Sequence, residues 1–540
     1  MSTSTSTSTS FTRALLDHWA HRFRAISYDS AITIGLVGSI IIALCSHAVG
    51  APRIRGGIMH LLGLTSFTSG HMQGILTVVF WIAIALLIVS WISVGGHMWR
   101  DGAPLRRRAV ASWVIPFLFA GPMMSRDVYS YLMQGTLARD GIDAYTHGAA
   151  ANPGPMLFEV SADWRNTTTP YGPLHLWIGE LITRVTGDNI TAGVLAFKLL
   201  SLASVAVMVW AVARLAEHMG ARADLAVWIG VLNPLCLIHL LGGMHNENLM
   251  MALVLTGYVV ALTWKPVPGL VAGAALIAVG TALKATAIIA LPFLVWITVA
   301  RIAGSLPAPG ALRQRAVVDT GRRLLTLVWT GVLAVVVTVA VMAAITAASG
   351  QSWGWVTQVT GNTKVINPLA LPSFLASTAQ VLLSPFETGL TFNVIVDALR
   401  PISTAIMLVG LVVVWWLFRH DPLRAIQGVT LAYMVTCVFN TVTLPWYYAA
   451  ALAFVGLWVR EARGLYVVAV FVMWLSMMFD GGGNNRLYTL WWVLLMLVVM
   501  GWLAAAAFVT KPWPERGASL RGQGGRAGRP LGDREASRRR

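Results

Sequence analysis

The sequence predicts an all-α protein whose helices cross a membrane many times. Of its 540 residues, 56% are hydrophobic and only 11% are charged, and the mean hydropathy is +0.69. Ordinary soluble domains do not combine these values. Apolar stretches of about 20 residues, the length at which a helix spans a bilayer, recur from Ala31 to Val509. They lack the alternation that barrel strands require, so we expect helices throughout.

The basic residues set the expected orientation. The chain has 39 Lys and Arg against 22 Asp and Glu, a formal net charge of +17. Such an excess often indicates nucleic-acid binding, but here the cations cluster in alternate loops and in the C-terminal tail, as in the cytoplasmic segments of membrane proteins. We therefore expect a cytoplasmic N-terminus, membrane lipids around the helices, and no nucleic-acid partner. The clusters include Arg22 and Arg24, Arg106–Arg108, and Arg322 and Arg323.

The chain divides into three expected parts. Residues 1–30, with a Ser-Thr repeat, form a partly disordered cytoplasmic segment, residues 31–509 form the membrane domain, and residues 510–540 form a disordered, basic cytoplasmic tail near anionic lipid. No cleavable signal is recognised, so the first span is expected to remain as an anchor. Roughly 14 spans are expected, at residues 31–49, 74–92, 109–124, 191–213, 225–241, 249–264, 269–283, 285–300, 324–348, 402–418, 426–443, 446–459, 465–479 and 488–509.

Two long segments interrupt the spans. Residues 125–190 are too polar to cross the membrane and are expected outside it, and residues 349–400 form a second external or re-entrant region. Within the first segment, the apolar residues between Pro173 and Gly187 fall on one helical face, with Glu180 and Arg184 opposite. This pattern predicts an amphipathic helix lying in the membrane interface.

Several kinds of chemistry lack their sequence signatures. Cys45, Cys236 and Cys437 all lie in apolar runs, so neither a disulfide framework nor a metal cluster is expected. The sequence contains no P-loop, dinucleotide fingerprint, HExxH or CxxC pair. The energy for any reaction must therefore arrive in the substrate.

The stretch SRDVYSY, from Ser125 to Tyr131, places Asp127 where the third expected span meets the long external segment. A carboxylate is costly in hydrocarbon, so an acid at this boundary indicates a role at the membrane surface, where it could accept a proton. The alternative is that Asp127 caps a helix beginning at Val128.

Other polar and aromatic residues fall at the same external ends of the expected spans. Cations there would hold phosphate, aromatic rings would stack on a sugar, and the acid would take a proton. Lys284 interrupts an apolar run, which favours a phosphate-binding role. Simpler alternatives are an ordinary loop at residues 245–247 and an interfacial aromatic belt at residues 446–448. Lys198 lies in an apolar run near its external end, so snorkelling explains it about as well as ligand binding. The set comprises Asp127, His245, Asn246, Glu247, Lys284, Lys364, Trp446, Tyr447, Asp480 and Arg486.

Four motifs together resemble a known family. They are SRDVYSY at Ser125, TPYGPLHLWIG at Thr169, LNPL at Leu232 and GMHNENLM at Gly243. In this order they are similar to the actinobacterial polyprenol-phosphate-mannose-dependent α-1,6-mannosyltransferases, over residues 31–509. Within that family the motifs look most like the B-type member, which begins the mannan backbone of lipomannan and lipoarabinomannan. The stretch PWYY at Pro445 is only loosely similar to the family pattern.

The resemblance implies a GT-C glycosyltransferase with its active site on the extracytoplasmic face of the plasma membrane. The donor would be polyprenyl-phosphate mannose, and the acceptor a mannosylated phosphatidylinositol or lipomannan. Because a β-linked donor gives an α product, the reaction inverts the anomeric centre and needs one base, at Asp127, and no metal or other cofactor. We expect the donor phosphate at Lys284, His245, Arg486 and Arg126, and substrate contacts at Tyr129, Tyr171, Asn246, Glu247, Trp446 and Tyr447.

Two other functions remain open at this point. A transporter or flippase of a lipid-linked sugar could share these spans, cations and aromatics, although transporters usually carry internal repeats and ionisable residues near the membrane midplane. A GT-C enzyme for another sugar, arabinofuranose or glucose, would differ only in its sugar pocket.

Overall fold

The computed structural model describes residues 16–306, 320–361, 366–386, 389–478 and 486–509. Every regular element in these ranges is a helix, which confirms the all-α class. From Tyr28 onward the α-helices are α1 Tyr28–Cys45, α2 Gly57–Leu61, α3 Gly70–Arg100, α4 Arg107–Leu118, α5 Asp127–Arg139, α6 Pro173–Thr186, α7 Ile190–His218, α8 Ala223–Gly230, α9 Glu247–Thr263, α10 Pro266–Leu283, α11 Leu291–Ala303, α12 Thr320–Ser349, α13 Trp355–Gly361, α14 Leu371–Leu383, α15 Phe392–Leu417, α16 Pro422–Phe439, α17 Ala449–Val455, α18 Ala462–Ser476 and α19 Leu490–Phe508.

The number of membrane-length helices is lower than the roughly 14 expected spans. Nine of the described helices are long and apolar enough to cross a membrane, or up to ten if α9 and the π-helix Cys236–Gly242, bent by 105° from each other, count as one span. The protein is thus a multi-pass membrane protein. The difference arises because several expected spans are short: α4 has 12 residues, α17 has seven and α18 has 15.

Local sequence explains where these helices stop. Pro116 lies inside α4, which ends two residues later, because proline cannot donate the helical hydrogen bond and its ring clashes with the preceding turn. Before α9, Met244 adopts a left-handed backbone conformation with φ of 56°. The chain turns sharply there, and the apolar stretch that the sequence presents becomes two differently directed helices.

A tryptophan pair joins α3 to α8 in the core. The rings of Trp91 and Trp228 stack with centroids 4.3 Å apart, and each indole nitrogen donates a hydrogen bond to the other residue's carbonyl, at 3.2 and 3.0 Å. Gly95 permits this approach, since a Cβ there would lie 2.0 Å from the Trp228 ring. The pair anchors the segment that leads into the π-helix.

The first of the two long segments between the expected spans, residues 125–190, contains two helices, α5 and α6, packed face to face. They meet at Gly135 and Gly179, where a Cβ on Gly135 would lie 2.2 Å from the Gly179 backbone. The outer face of α6 exposes Trp177, Leu181 and Val185. The predicted amphipathic helix over residues 173–187 is therefore present, with an apolar face free to contact the membrane interface.

Several sequence predictions concern residues outside these described ranges. They are the Ser-Thr repeat, the tail from residue 510, Lys364 and Asp480. Arg486 begins a short 3-10 turn, Arg486–Tyr488, but its side chain is also outside what the structure describes.

Candidate active site

A polar cavity of about 170 Å³ lies where the segment of residues 125–190 meets the ends of several helices. It brings together parts of the chain that are far apart in sequence. Residues lining it include Asp127, Ser130, Tyr131 and Gln134 from α5, Trp164 and Tyr171 from the following loop, Lys284 and Thr286 from the end of α10, and Asn440 and Tyr447 from the segment after α16.

Asp127 is the first residue of α5, and its side chain faces this cavity. Arg126, not Asp127, occupies the helix N-cap position, so the capping alternative does not account for Asp127. One carboxylate oxygen, Oδ2, lies 3.3 Å from Nδ1 of His245. The Asp127 backbone N–H donates to Ser125 Oγ at 3.1 Å. The acid is therefore held at the cavity wall by neighbours on both sides.

The charge state of Asp127 follows from these neighbours. Burial raises the pKa of its carboxyl, but hydrogen bonding and charge from His245, together with Ser125 and Lys284, lower it more. The net pKa is below the ordinary value, so Asp127 is ionised at neutral pH. An ionised carboxylate can accept a proton.

His245 is fully buried behind Asp127. Its ring stacks on Trp446, with centroids 3.7 Å apart and planes 18° from parallel. This stacking holds the imidazole in place, with Nδ1 3.3 Å from the carboxylate oxygen. We expected His245 to contact phosphate and Trp446 to contact substrate, but neither residue lines the cavity. Their geometry instead indicates that together they orient the acid.

Lys284 and Glu247 form a buried ion pair beside the cavity. Lys284 Nζ donates to Glu247 Oε1 and lies 4.2 Å from the ring centroid of Tyr447 and 5.7 Å from that of Tyr171. Glu247 is 1% exposed, and its second oxygen has no hydrogen-bond partner among the described residues. Lys284, Tyr171 and Tyr447 line the cavity as expected, whereas Glu247 faces the lysine and not the cavity.

The turn that carries residues 245–247 is fixed from behind by Lys198 of α7. Its ammonium donates to the carbonyls of Leu241 and Gly242, both at 3.3 Å, at the end of the π-helix. Helix ends leave such carbonyls without intrahelical partners. Lys198 is 2% exposed, so the structure supports neither snorkelling nor ligand contact for this residue. Lys198 therefore stabilises the end of the π-helix.

Arg126 and Tyr129 point away from the cavity. Arg126 forms an ion pair with the buried Glu159 at 2.8 Å and donates to the Pro52 carbonyl at 2.8 Å, while the Tyr129 hydroxyl donates to the Ala51 carbonyl at 3.0 Å. Both side chains tie the segment of residues 125–190 to the loop after α1. Neither of them lines the cavity, where we expected contacts with phosphate and substrate.

His175 packs behind the tyrosines of the cavity, a position that the sequence reasoning missed. It is 4% exposed, and its ring lies 4.4 Å from Tyr171 and 4.6 Å from Tyr131 between centroids. Burial and the Lys284 charge lower the pKa of His175 to about 3, so it is neutral. Its Nδ1 lies 3.4 Å from Nδ2 of Asn246, which places Asn246 behind the tyrosines and not in the cavity.

A weak sequence signal existed for two further lining residues. Ser130 and Gln134 follow Asp127 by three and seven positions, which is one face of a helix. The polar Asn440, by contrast, comes from a span end more than three hundred residues away. As for metals, within the described ranges no three His, Cys, Asp or Glu side chains group closely enough to hold an ion.

Comparison with known proteins gives matches along most of the chain. The family model described as α-(1→6)-mannopyranosyltransferase, N-terminal domain, matches residues 32–300, and the model described as MptB C-terminal domain matches residues 372–510. The chain is 48% identical to α-(1→6)-mannopyranosyltransferase A of Corynebacterium glutamicum, over 82% of this chain and 91% of the relative. It is 33% identical to the A protein of Mycobacterium tuberculosis, over 83% of each.

The B-type relative is less similar. Identity to α-(1→6)-mannopyranosyltransferase B of Corynebacterium glutamicum is 28%, over 79% of this chain and 73% of the relative. The expected family is therefore confirmed, and the expected resemblance to its B-type member is corrected, because both A proteins are more similar to this chain.

Proposed function

Because the chain belongs to the α-(1→6)-mannopyranosyltransferase family, we propose that it transfers mannose from polyprenyl-phosphate mannose to the 6-hydroxyl of a mannosylated phosphatidylinositol or lipomannan acceptor. The reaction inverts the anomeric centre at the extracytoplasmic face of the plasma membrane. One observation carries the proposal: the ionised carboxylate of Asp127 and the ammonium of Lys284 line the same cavity. A base and a cation are what a direct displacement at a glycosyl phosphate requires.

Asp127 acts as the general base. As the acceptor oxygen forms its bond to the anomeric carbon, its proton passes to the carboxylate, and the bond from that carbon to the phosphate oxygen breaks. General-base assistance of this kind is worth about 10²- to 10⁴-fold in rate. His245, stacked on Trp446, holds the carboxylate in place.

Lys284 stabilises the leaving group. The departing phosphate takes the electron pair of the broken bond, and a cation fixed beside it favours the transition state over the ground state. Glu247 keeps Lys284 charged and oriented before substrate arrives. A bound donor phosphate shares the lysine with Glu247.

The remaining lining residues suit a sugar. Tyr171, Tyr447 and Trp164 offer aromatic surfaces, and Gln134 and Asn440 offer amide groups for hydroxyls. A cavity with a few polar groups among aromatic walls fixes the orientation of its ligand.

The test uses the purified full chain in lipid nanodiscs with polyprenyl-phosphate mannose and a short α-1,6-mannoside. We expect a new α-1,6 linkage together with release of polyprenyl phosphate. Asp127→Asn should abolish most of the transfer, while Asp140→Asn, at the exposed end of the same helix, should leave it intact.

Three outcomes would contradict the proposal. They are full activity of Asp127→Asn, transfer only from polyprenyl-phosphate arabinose or glucose, and movement of the lipid-linked sugar across the bilayer without a new glycosidic bond. The last two correspond to the other sugar specificity and to the flippase.

A further inference from the structure

An apolar groove of about 390 Å³ runs between α11, α12 and α15. Its lining includes Leu291 and Val295 from α11, Leu327 and Gly331 from α12, and Leu411 and Trp415 from α15. Every lining residue is apolar or glycine. The groove therefore suits a hydrocarbon chain and offers nothing to a sugar or an ion.

This groove is joined to the polar cavity by one short element. The 3-10 segment Ala285–Ala290 begins directly after Lys284 and ends directly before Leu291. Lys284 and Thr286 line the cavity at one end, and Leu291 lines the groove at the other. At about 2 Å per residue the six-residue segment is roughly 12 Å long, and Ile288 on it is exposed. Apart from Thr286 its residues are apolar, so a short apolar stretch of chain separates Lys284 from the groove.

Gly331 supplies the space within the groove. It lies inside α12, where glycine is less favourable than alanine. At Gly135 a helical glycine allows close packing of two helices, but a Cβ built on Gly331, as on Gly74 of α3, would have no atom of the described residues within 4 Å. Close packing of helices therefore does not explain this glycine. The glycine instead leaves open space in the groove.

The groove opens sideways to the membrane. In the most apolar stretch of each helix, only 6% of the residues of α15 and 22% of those of α12 are buried. Val335 and Val412, which line the groove, are 57% and 62% exposed. A lipid in the bilayer could enter between these helices without crossing the protein core.

From these observations we infer that the groove between α11, α12 and α15 holds the prenyl chain of the donor lipid while its phosphate contacts Lys284. The inference rests on the proposed function and identifies how the chain recognises its donor. A hydrocarbon chain attached directly to a phosphate matches an apolar groove whose nearest end lies one short segment from the Lys284 ammonium. A phospholipid acyl chain is the competing occupant, and the experiment distinguishes the two.

The test compares Gly331→Leu with wild type, using mannosyl phosphate on a two-isoprene chain and on a ten-isoprene chain. The leucine enters open space, so it fills the groove without displacing protein atoms. Loss of contact with a few chain carbons predicts at least about a tenfold fall in kcat/KM for the long donor. The short donor, which does not reach the groove, should be unaffected. Ala340→Leu, at an exposed position of α12 outside the groove, is the matched control.

A photoreactive long-chain donor gives a second readout. It should label peptides of α11, α12 or α15 in wild type, and Gly331→Leu should reduce that labelling, whereas a photoreactive phospholipid should label them weakly. If Gly331→Leu affects both donors equally or neither, or if the phospholipid labels the groove as strongly as the donor, the groove is not a prenyl site. If wild type transfers mannose from neither donor, the proposed function fails instead.

Discussion

Replacing His245 with phenylalanine should shift the acidic limb of the pH–rate profile upward. Phenylalanine retains the ring that stacks on Trp446 but removes the nitrogen 3.3 Å from the Asp127 carboxylate. In wild type the pKa of Asp127 is below its ordinary value of 3.8, because His245, Ser125 and Lys284 outweigh the effect of burial, which raises it. Without His245 the burial remains while the largest opposing contribution is lost. The pKa must therefore rise.

The magnitude follows from the strength of the lost contact. An opposite charge within about 4–6 Å of a carboxylate lowers its pKa by roughly one to three units, and the 3.3 Å contact, which lacks the geometry of a regular hydrogen bond, belongs to the lower part of this range. Because the base works only when ionised, activity in wild type should persist into strongly acidic solution and fall only as pH drops through the lowered pKa. In His245→Phe the fall should begin about one to two pH units higher.

The assay is kcat/KM for mannosyl transfer across the pH range over which the purified protein stays folded. His218→Phe, at the exposed end of α7 and away from the cavity, is the matched control and should reproduce the wild-type profile. His245→Gln, which restores a neutral donor, should fall between the two. An acidic limb that stays in place in His245→Phe would refute the role assigned to this histidine, even if the overall rate falls.

Three further predictions test other parts of the structure. Lys284→Met should raise KM for the donor by about tenfold or more with little change in KM for the acceptor, whereas Lys265→Met, exposed at the opposite end of α10, should change neither. Arg126→Ala should lower the thermal midpoint, because buried Glu159 loses this partner and keeps Arg53 and two backbone N–H groups, at a cost of about 1.5–3 kcal/mol. The folded fraction should keep the wild-type donor KM, and a raised donor KM would restore its phosphate role. Gly135→Val should separate α5 from α6 and destabilise the protein, since its Cβ would overlap Gly179, while Gly154→Ala, with open space around it, should melt like wild type.

The fold class could be predicted from composition, whereas the sharp change of chain direction before α9 could not. Hydropathy measures the length of an apolar run, and it registered residues 225–264 as two ordinary spans. The direction of the chain there depends on the left-handed backbone at Met244 and on carbonyls that Lys198 satisfies from another helix. Neither feature can be predicted from the hydropathy of a short stretch of sequence. The interfacial helix over residues 173–186 was predictable because its amphipathic pattern is local.

The same distinction applies to the candidate site, where residues with a local sequence signal could be predicted and contacts made by tertiary packing could not. Asp127, Lys284, Tyr171 and Tyr447 could be identified because polar or aromatic groups at span ends are unusual in an apolar chain, and all four line one cavity. The partners of these residues could not be identified. Position next to Asp127 suggested Arg126 as a phosphate ligand, but its ion pair with Glu159, thirty-three residues away, directs it elsewhere. Likewise, His245 meets Asp127 only because tertiary packing brings the two segments together.

The account depends most directly on Asp127 as the base of a single displacement. Single-turnover transfer by Asp127→Asn, measured together with donor binding by the same preparation, separates chemistry from recognition. The account predicts a fall in the transfer rate of about 10²- to 10⁴-fold with donor affinity close to that of wild type. A transfer rate equal to that of wild type, with donor bound, would contradict it.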